Sequence, residues 1–276
     1  NEYPSQTKNN KYTNKYQGKN VIVIHAESIQ NYLLDTEING TPIAPNLKKL
    51  SEEGLYFSNF YAQESVGTSS DSEFTFSTSL LPASNGTVFV SYWNREYTSI
   101  QKLLTEKNYY TFSMHANKGN FWNREVMHEN LGYQKFYNYK EAYEINDEDI
   151  IGLGLNDKSF FAQSVEKMKE INAKYDKWYG LTIMLTNHTP FTGLTDSTDL
   201  DLTYHYTKIN EETGESEEVI NKYLKDRNKY YTWMKYSLPN EIVKNNLNDE
   251  INIFAFAMLD RYSDFEILQK FKKKLE

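Results

Sequence analysis

The stretch SVGTSSDSEFTFS, residues 65–77, gathers Ser65, Thr68, Ser69 and Ser70 around Gly67 and then turns acidic at Asp71 and Glu73. Hydroxyls followed by apolar residues and a Pro82 stop read as the start of a helix near Ser70. A hydroxyl in that position has two possible roles. It can cap the helix, the commonest use of Ser and Thr there. It can also be a nucleophile or hold a phosphate, because a helix N-terminus offers unpaired N–H groups at the positive end of its dipole. Serine needs a base or a metal ion to become a nucleophile, so the choice depends on which groups the fold brings beside it.

Those groups stand at the ends of apolar runs. VIVI (21–24) leads into His25 and Glu27, YTFSM (110–114) into His115 and Asn117, WYGLTIML (178–185) into Asn187 and His188, and INIFAFAML (251–259) into Asp260 and Arg261. Each run suits a buried parallel strand. LYFSNFYAQ (55–63) reads as a fifth strand, immediately before the serine cluster. Helical patterns lie between, at 44–54, 99–109, 124–133 and 156–172, the last with Phe160, Phe161, Val165, Met168 and Ile171 on one face. Further helices are expected at 218–247, interrupted at Pro239, and at 263–276; the polar stretch 193–218 reads as an inserted loop or hairpin.

Strands alternating with helices predict an α/β fold with a mostly parallel central sheet and helices on both faces. Ligands in such sheets sit outside the carboxyl ends of the strands. The four strand ends and the serine cluster are therefore expected to converge. Glu27 and Asp260 would offer hard oxygen ligands to a metal, and metal, hydroxyl and phosphate together read as phosphoryl transfer through a covalent intermediate. His25 is either part of that site or a hydrogen-bonded core histidine. His128, mid-helix, and His205, in the polar insertion, are expected at the surface.

The chain of 276 residues can bury a substantial core, and with 23 Tyr and 15 Phe that core is built largely from rings. A formal charge of −8 without a dense Lys/Arg run argues against nucleic acid as a partner. The absence of cysteine excludes disulfides, thiolate zinc sites and a cysteine nucleophile. No apolar run approaches the roughly 20 residues that span a bilayer. Residues 1–18 read as a linker into a domain spanning 19–276, and the chain as the soluble part of a longer protein.

Five blocks, NVIVIHAESIQ, GTSSDSEF, HANKGNFWNR, LGLNDKSFF and LTNHTPF, occur in the order and approximate spacing of the lipoteichoic acid synthase family. The resemblance is close over 19–192 and weaker beyond, so 219–276 reads as a divergent or incomplete C-terminal part. It implies a sulfatase/alkaline-phosphatase-like fold and a membrane-anchored enzyme acting at the extracellular face. The implied activity takes phosphoglycerol from phosphatidylglycerol and passes it to a glycolipid or polymer acceptor, with Mn2+ or Mg2+ as cofactor. Carried over by motif, the resemblance assigns Ser69 as nucleophile, with Thr68 the nearest alternative, and Glu27, Ser69 and Asp260 as metal ligands. It assigns His115, Asn117 (an Asp in some members), Trp122, Arg124 and His188 to the substrate, Trp122 as a wall for the glycerol and Arg124 as a fork for phosphate oxygens. One departure stands out. The family's late Asp-His pair is Asp260-Arg261 here, and a permanent cation replaces a neutral imidazole ligand. Two readings remain open at this point: an active transferase, or a domain that binds the same head groups without turnover. A sulfatase activity is disfavoured, since neither Cys nor a Ser-x-Pro-x-Arg motif stands at the nucleophile.

Overall fold

A computed structural model of the chain describes residues 9–29, 31–188, 204–209, 213–214, 216–221 and 251–257. Asp260, Arg261, residues 222–247 of the helical reading at 218–247, and the helical reading at 263–276 lie outside these residues. Five strands, β1 (Asn20–Ala26), β2 (Tyr110–His115), β3 (Lys135–Asn138), β4 (Trp178–Ile183) and β5 (Ile251–Ala257), form one sheet in the order β5-β1-β4-β2-β3. Every pairing is parallel. The register places His25 opposite both Ile183 and Phe256, and His115 opposite both Ile183 and Asn138. The carboxyl ends of all five strands therefore lie along one edge, as the alternation of strands and helices predicts.

The period-2 geometry of β1 explains why its run is continuously apolar. Ile22 and Ile24 face one core with Phe112, Met114, Phe160, Phe161 and Trp178, while Val23 faces another with Phe74, Phe89, Met127, Leu131 and Tyr179. Helix Asp157–Lys174 covers the first face; helices Ser69–Thr78 and Arg124–Leu131 cover the second. Each fully buried Phe, Leu or Ile contributes about 1.5–3 kcal/mol to this packing. Gly132 closes the helix Arg124–Leu131 with φ 95°, a left-handed conformation that glycine adopts without a Cβ penalty.

Two expectations need correction. Residues 55–63 are not a strand: no described strand pairs with them, and Phe57 is 71% and Tyr61 69% exposed. A strand-like composition, rich in Tyr and Phe, supplies only half of a strand's requirements, the other half being a neighbour to share backbone hydrogen bonds. The sheet's fifth strand is instead the short edge strand β3, KFYN, too brief to read as a period. The hairpin allowed for in the polar insertion is present, Tyr204–Ile209 antiparallel to Ser216–Asn221, but its second strand occupies 218–221, where a helix was expected to begin.

Candidate active site

The helix α2 (Ser69–Thr78) starts at the serine cluster. Asp71 folds back over the preceding loop, and its Oδ2 accepts hydrogen bonds from the N–H of Ser65 at 3.0 Å and of Gly67 at 2.9 Å. That embrace demands glycine: a Cβ at Gly67 would stand 2.3 Å from Asp71 Oδ1 and 2.8 Å from Thr87 Cγ2. Burial pushes the Asp71 carboxyl above its ordinary range against the pull of the two N–H donors. Thr68, the residue before the helix, sits at φ 43°, ψ −113°, a strained conformation for a β-branched residue. The N–H groups of Ser70, Asp71 and Ser72 donate to the carbonyls of Gly67 and Thr68. The open row of N–H groups expected at this helix start is thus largely committed within the loop.

Ser69 itself is buried, and its Oγ donates to Glu27 Oε1. Glu27 follows β1 in a turn closed by its own N–H on His25 O at 3.0 Å. Ser69 and Glu27, expected from sequence as nucleophile and metal ligand, are therefore in direct contact. Both are hard oxygen donors, shielded from water, and as a pair they fit part of a Mg2+ or Mn2+ site. Among the described residues no group of three or more His, Cys, Asp or Glu side chains completes it. Strand β5 ends with Ala257 opposite Ala26, so the strand preceding Asp260 terminates beside the strand preceding Glu27.

Arg124 opens the helix α4 (α1 being Pro45–Glu53, α3 Ile100–Thr105 and α4 Arg124–Leu131) and is almost fully buried. Its Nε and Nη2 donate to Glu73 Oε1 at 3.0 and 2.7 Å. His128, expected at the surface, is buried one turn further along α4, and its Nε2 meets Glu73 Oε2 at 2.9 Å while Nδ1 meets Ser113 Oγ at 2.8 Å. The carboxylate it serves comes from α2, 55 residues away, so nothing local marks the ring as internal. Burial alone would raise the Glu73 carboxyl, but Arg124 and His128 outweigh it and hold it well below the usual carboxylate range. Burial, followed by Arg124, lowers His115, so its ring is neutral. His115 Nδ1 lies 3.0 Å from Ile183 O; a neutral ring donating there leaves Nε2 as an acceptor. His25 is likewise lowered by burial, and its Nδ1 has no partner among the described residues.

Just before α4, Trp122 (φ 56°) and Asn123 (φ 57°) adopt left-handed conformations in succession. Each costs on the order of 1–3 kcal/mol, and such strain collects at functional sites. Asn123 Nδ2 anchors the kink on Phe89 O at 2.8 Å, and Trp122 is half-buried against the edge of Phe121.

The loop after β4 is held by Asp157, the first residue of helix α5 (Asp157–Lys174). Its carboxylate accepts from the N–H of Leu185 at 2.8 Å and of Thr186 at 3.0 Å, while Thr186 Oγ1 accepts from the Asp157 N–H at 2.7 Å. Burial pushes the Asp157 carboxyl up to about 7 despite those donors. The clamp fixes the chain immediately before Asn187 and His188. Asn187 is buried with both amide atoms unpartnered among the described residues, as is Asn117 Nδ2. Asp157, Glu73 and Asp71 carry no assignment in the sequence reading; apart from Phe74 beside Glu73 their immediate neighbours are polar, so the local pattern does not mark them as buried.

A sulfatase family profile matches residues 19–264, past the motif-bearing 19–192 and through Asp260 and Arg261. The lipoteichoic acid synthase of Staphylococcus saprophyticus is 34% identical over 275 residues, 98% of this chain and 40% of that protein. Among solved structures, the lipoteichoic acid synthase LtaP from Listeria monocytogenes matches with a TM-score of 0.78 and 25% identity, covering 94% of this chain and 61% of that one. A Vibrio parahaemolyticus protein of the alkaline phosphatase superfamily shares the fold, with a TM-score of 0.64 at 20% identity over 89% of this chain and 56% of that one. The chain thus spans well under half the length of that curated relative. With its parallel sheet, its buried Ser69–Glu27 pair and a family match over most of its length, the chain belongs to the sulfatase family and is similar to lipoteichoic acid synthases.

Proposed function

We propose that this chain is the transferase domain of a phosphoglycerol transferase in cell-envelope polymer synthesis, with Ser69 as its covalent nucleophile. The observation that carries the proposal is the buried contact of Ser69 Oγ with Glu27. In the reaction Ser69 Oγ forms a bond to the phosphorus of a phosphatidylglycerol-type lipid, and the bond from phosphorus to the diacylglycerol oxygen breaks. Diacylglycerol leaves with a proton. The hydroxyl of a glycolipid or of a polymer end then attacks the same phosphorus, the bond from phosphorus to Ser69 Oγ breaks, and the acceptor's proton returns to Ser69. Glu27 and Ser69, together with Asp260, would hold a divalent cation, Mn2+ or Mg2+, which would supply Lewis acidity at the Ser69 hydroxyl.

The chain's other residues divide the remaining work. Arg124, fixed by Glu73 on its Nε–Nη2 edge, offers its remaining N–H donors to phosphate oxygens. His115 accepts a hydrogen bond at Nε2 from a glycerol hydroxyl, and Asn117 and His188 complete the head-group contacts. Trp122, held out by its strained backbone, forms a wall for the glycerol. Such substrates place the domain at the extracellular face of a membrane, preceded by an anchor in the longer protein.

Arg261 at the position of an expected histidine ligand favours one second reading, a domain that binds phosphoglycerol without turnover. Mn2+-dependent release of diacylglycerol from labelled phosphatidylglycerol, with Ser69→Ala as control, separates the two. Serine-dependent release supports transfer; glycerol-phosphate binding with neither release nor Mn2+ binding supports the second reading.

A further inference from the structure

We propose that Glu73 is the positioning residue that sets the guanidinium of Arg124 for a substrate phosphate, with His128 fixing Glu73 in turn. The inference rests on the phosphoryl-transfer reading of the site and deepens it. Guanidinium is a rigid planar fork, so binding one edge fixes where the other donors point. Glu73 Oε1 takes that edge at 2.7 Å from Nη2 and 3.0 Å from Nε, and Oε2 reaches Nε at 3.3 Å, leaving Nη1 outside the pair. Rotation of the carboxylate is blocked by His128 Nε2 at 2.9 Å on Oε2. The His128 ring is braced at Nδ1 by Ser113 Oγ on β2, 2.8 Å away. The relay therefore runs from the rigid sheet through His128 and Glu73 to Arg124, and the Glu73, Arg124 and His128 side chains are each about 1% exposed.

Stability is a poor explanation for this arrangement. A buried ion pair is often no better than apolar residues of the same volume, because desolvating both charges offsets their attraction. Position explains it more directly. Glu73 stands four residues after Ser69, one turn along the same face of α2. One rigid helix thus fixes both the hydroxyl that attacks phosphorus and the carboxylate that aims the arginine at its oxygens. A shift of α2 would move the two together and preserve their spacing. Such spacing matters, since a misplacement of about 1 Å can cost on the order of 100-fold in rate.

The test measures the affinity of the protein for sn-glycerol-1-phosphate with Mn2+, by calorimetry, alongside the melting temperature. Glu73→Asp retains the charge but withdraws it by one methylene. It is expected to fold and to bind roughly ten- to hundred-fold more weakly. In an Arg124→Lys background the same change is expected to add almost nothing, because the fork it positions is gone. A Glu73→Asp variant that binds like wild type, while Arg124→Lys alone weakens binding, overturns the positioning role and leaves the phosphate reading standing. Unchanged affinity in Arg124→Lys, or no binding by the wild type, overturns both. If Glu73→Asp does not fold, His128→Gln keeps the Arg124–Glu73 pair and removes the ring that fixes Oε2. Weaker binding then supports the relay, and unchanged binding overturns it.

Discussion

Ser69 Oγ donates to Glu27 Oε1, joining the first residue of α2 to the turn after β1 across 42 residues of sequence. A carboxylate in that place both orients the hydroxyl and offers a ligand oxygen beside it. Glu27→Gln keeps the shape and removes the charge. It is expected to weaken Mn2+ binding at least tenfold without unfolding the domain, as read by calorimetry and circular dichroism. Unchanged Mn2+ affinity would remove Glu27 from the metal site.

Gly67 is squeezed between Asp71 and Thr87, where an added Cβ would lie 2.3 Å from one and 2.8 Å from the other. Gly67→Ala should therefore push Asp71 off the N–H groups of Ser65 and Gly67 and cost about 1–3 kcal/mol. The expected readout is a lower melting temperature with a disproportionate loss of turnover, because the displaced loop leads directly to Ser69. A variant as stable and active as wild type would show that the loop accommodates the methyl group.

Arg124 and Glu73 neutralise each other out of water. Arg124→Ala strands the Glu73 carboxylate and should destabilise the fold by about 3–5 kcal/mol. The double variant Arg124→Met, Glu73→Leu should recover much of that stability while remaining unable to bind phosphate. Chemical denaturation of the three proteins measures both effects. If the double variant is no more stable than Arg124→Ala, the stranded charge is not the cause of the loss.

Asp157 gives the domain a pH-dependent stability with a definite sign. Its carboxyl is raised from 3.8 to about 7 in the folded protein, so the folded state binds the proton more tightly than the unfolded chain. The associated stability is present in full below pH 3.8 and is lost as pH rises through 7. The shift corresponds to a ceiling of roughly 4 kcal/mol. Urea midpoints should fall between pH 5 and pH 8, and Asp157→Asn should flatten that fall. An equal slope in the variant would assign it to other groups.

The sheet was legible because its strands are buried on both faces, so VIVI, YTFSM and WYGLTIML stand out as unbroken apolar runs. The strand-end rule then pointed to Glu27, while the serine cluster was marked by its hydroxyls before a helix; it is α2, not the sheet register, that brings Ser69 to Glu27. What escaped was relational. His128 lies on a helix whose own sequence does not mark the ring as internal, and its burial depends on Glu73 from a different helix. Residues 55–63 are strand-like in composition, rich in aromatic residues, yet no described strand pairs with them. Asp157 looks like an ordinary helix-opening aspartate; its function of holding the Leu185–Thr186 loop appears only once α5 and β4 are side by side.

The central claim is that Ser69 carries the phosphoglycerol group. The most direct measurement is mass spectrometry of peptides from protein quenched during turnover with phosphatidylglycerol and Mn2+. A glycerophosphoryl adduct on Ser69, absent in Ser69→Ala and retained in Thr68→Ala, is the predicted result. An adduct on Thr68, or turnover that survives Ser69→Ala, would contradict it.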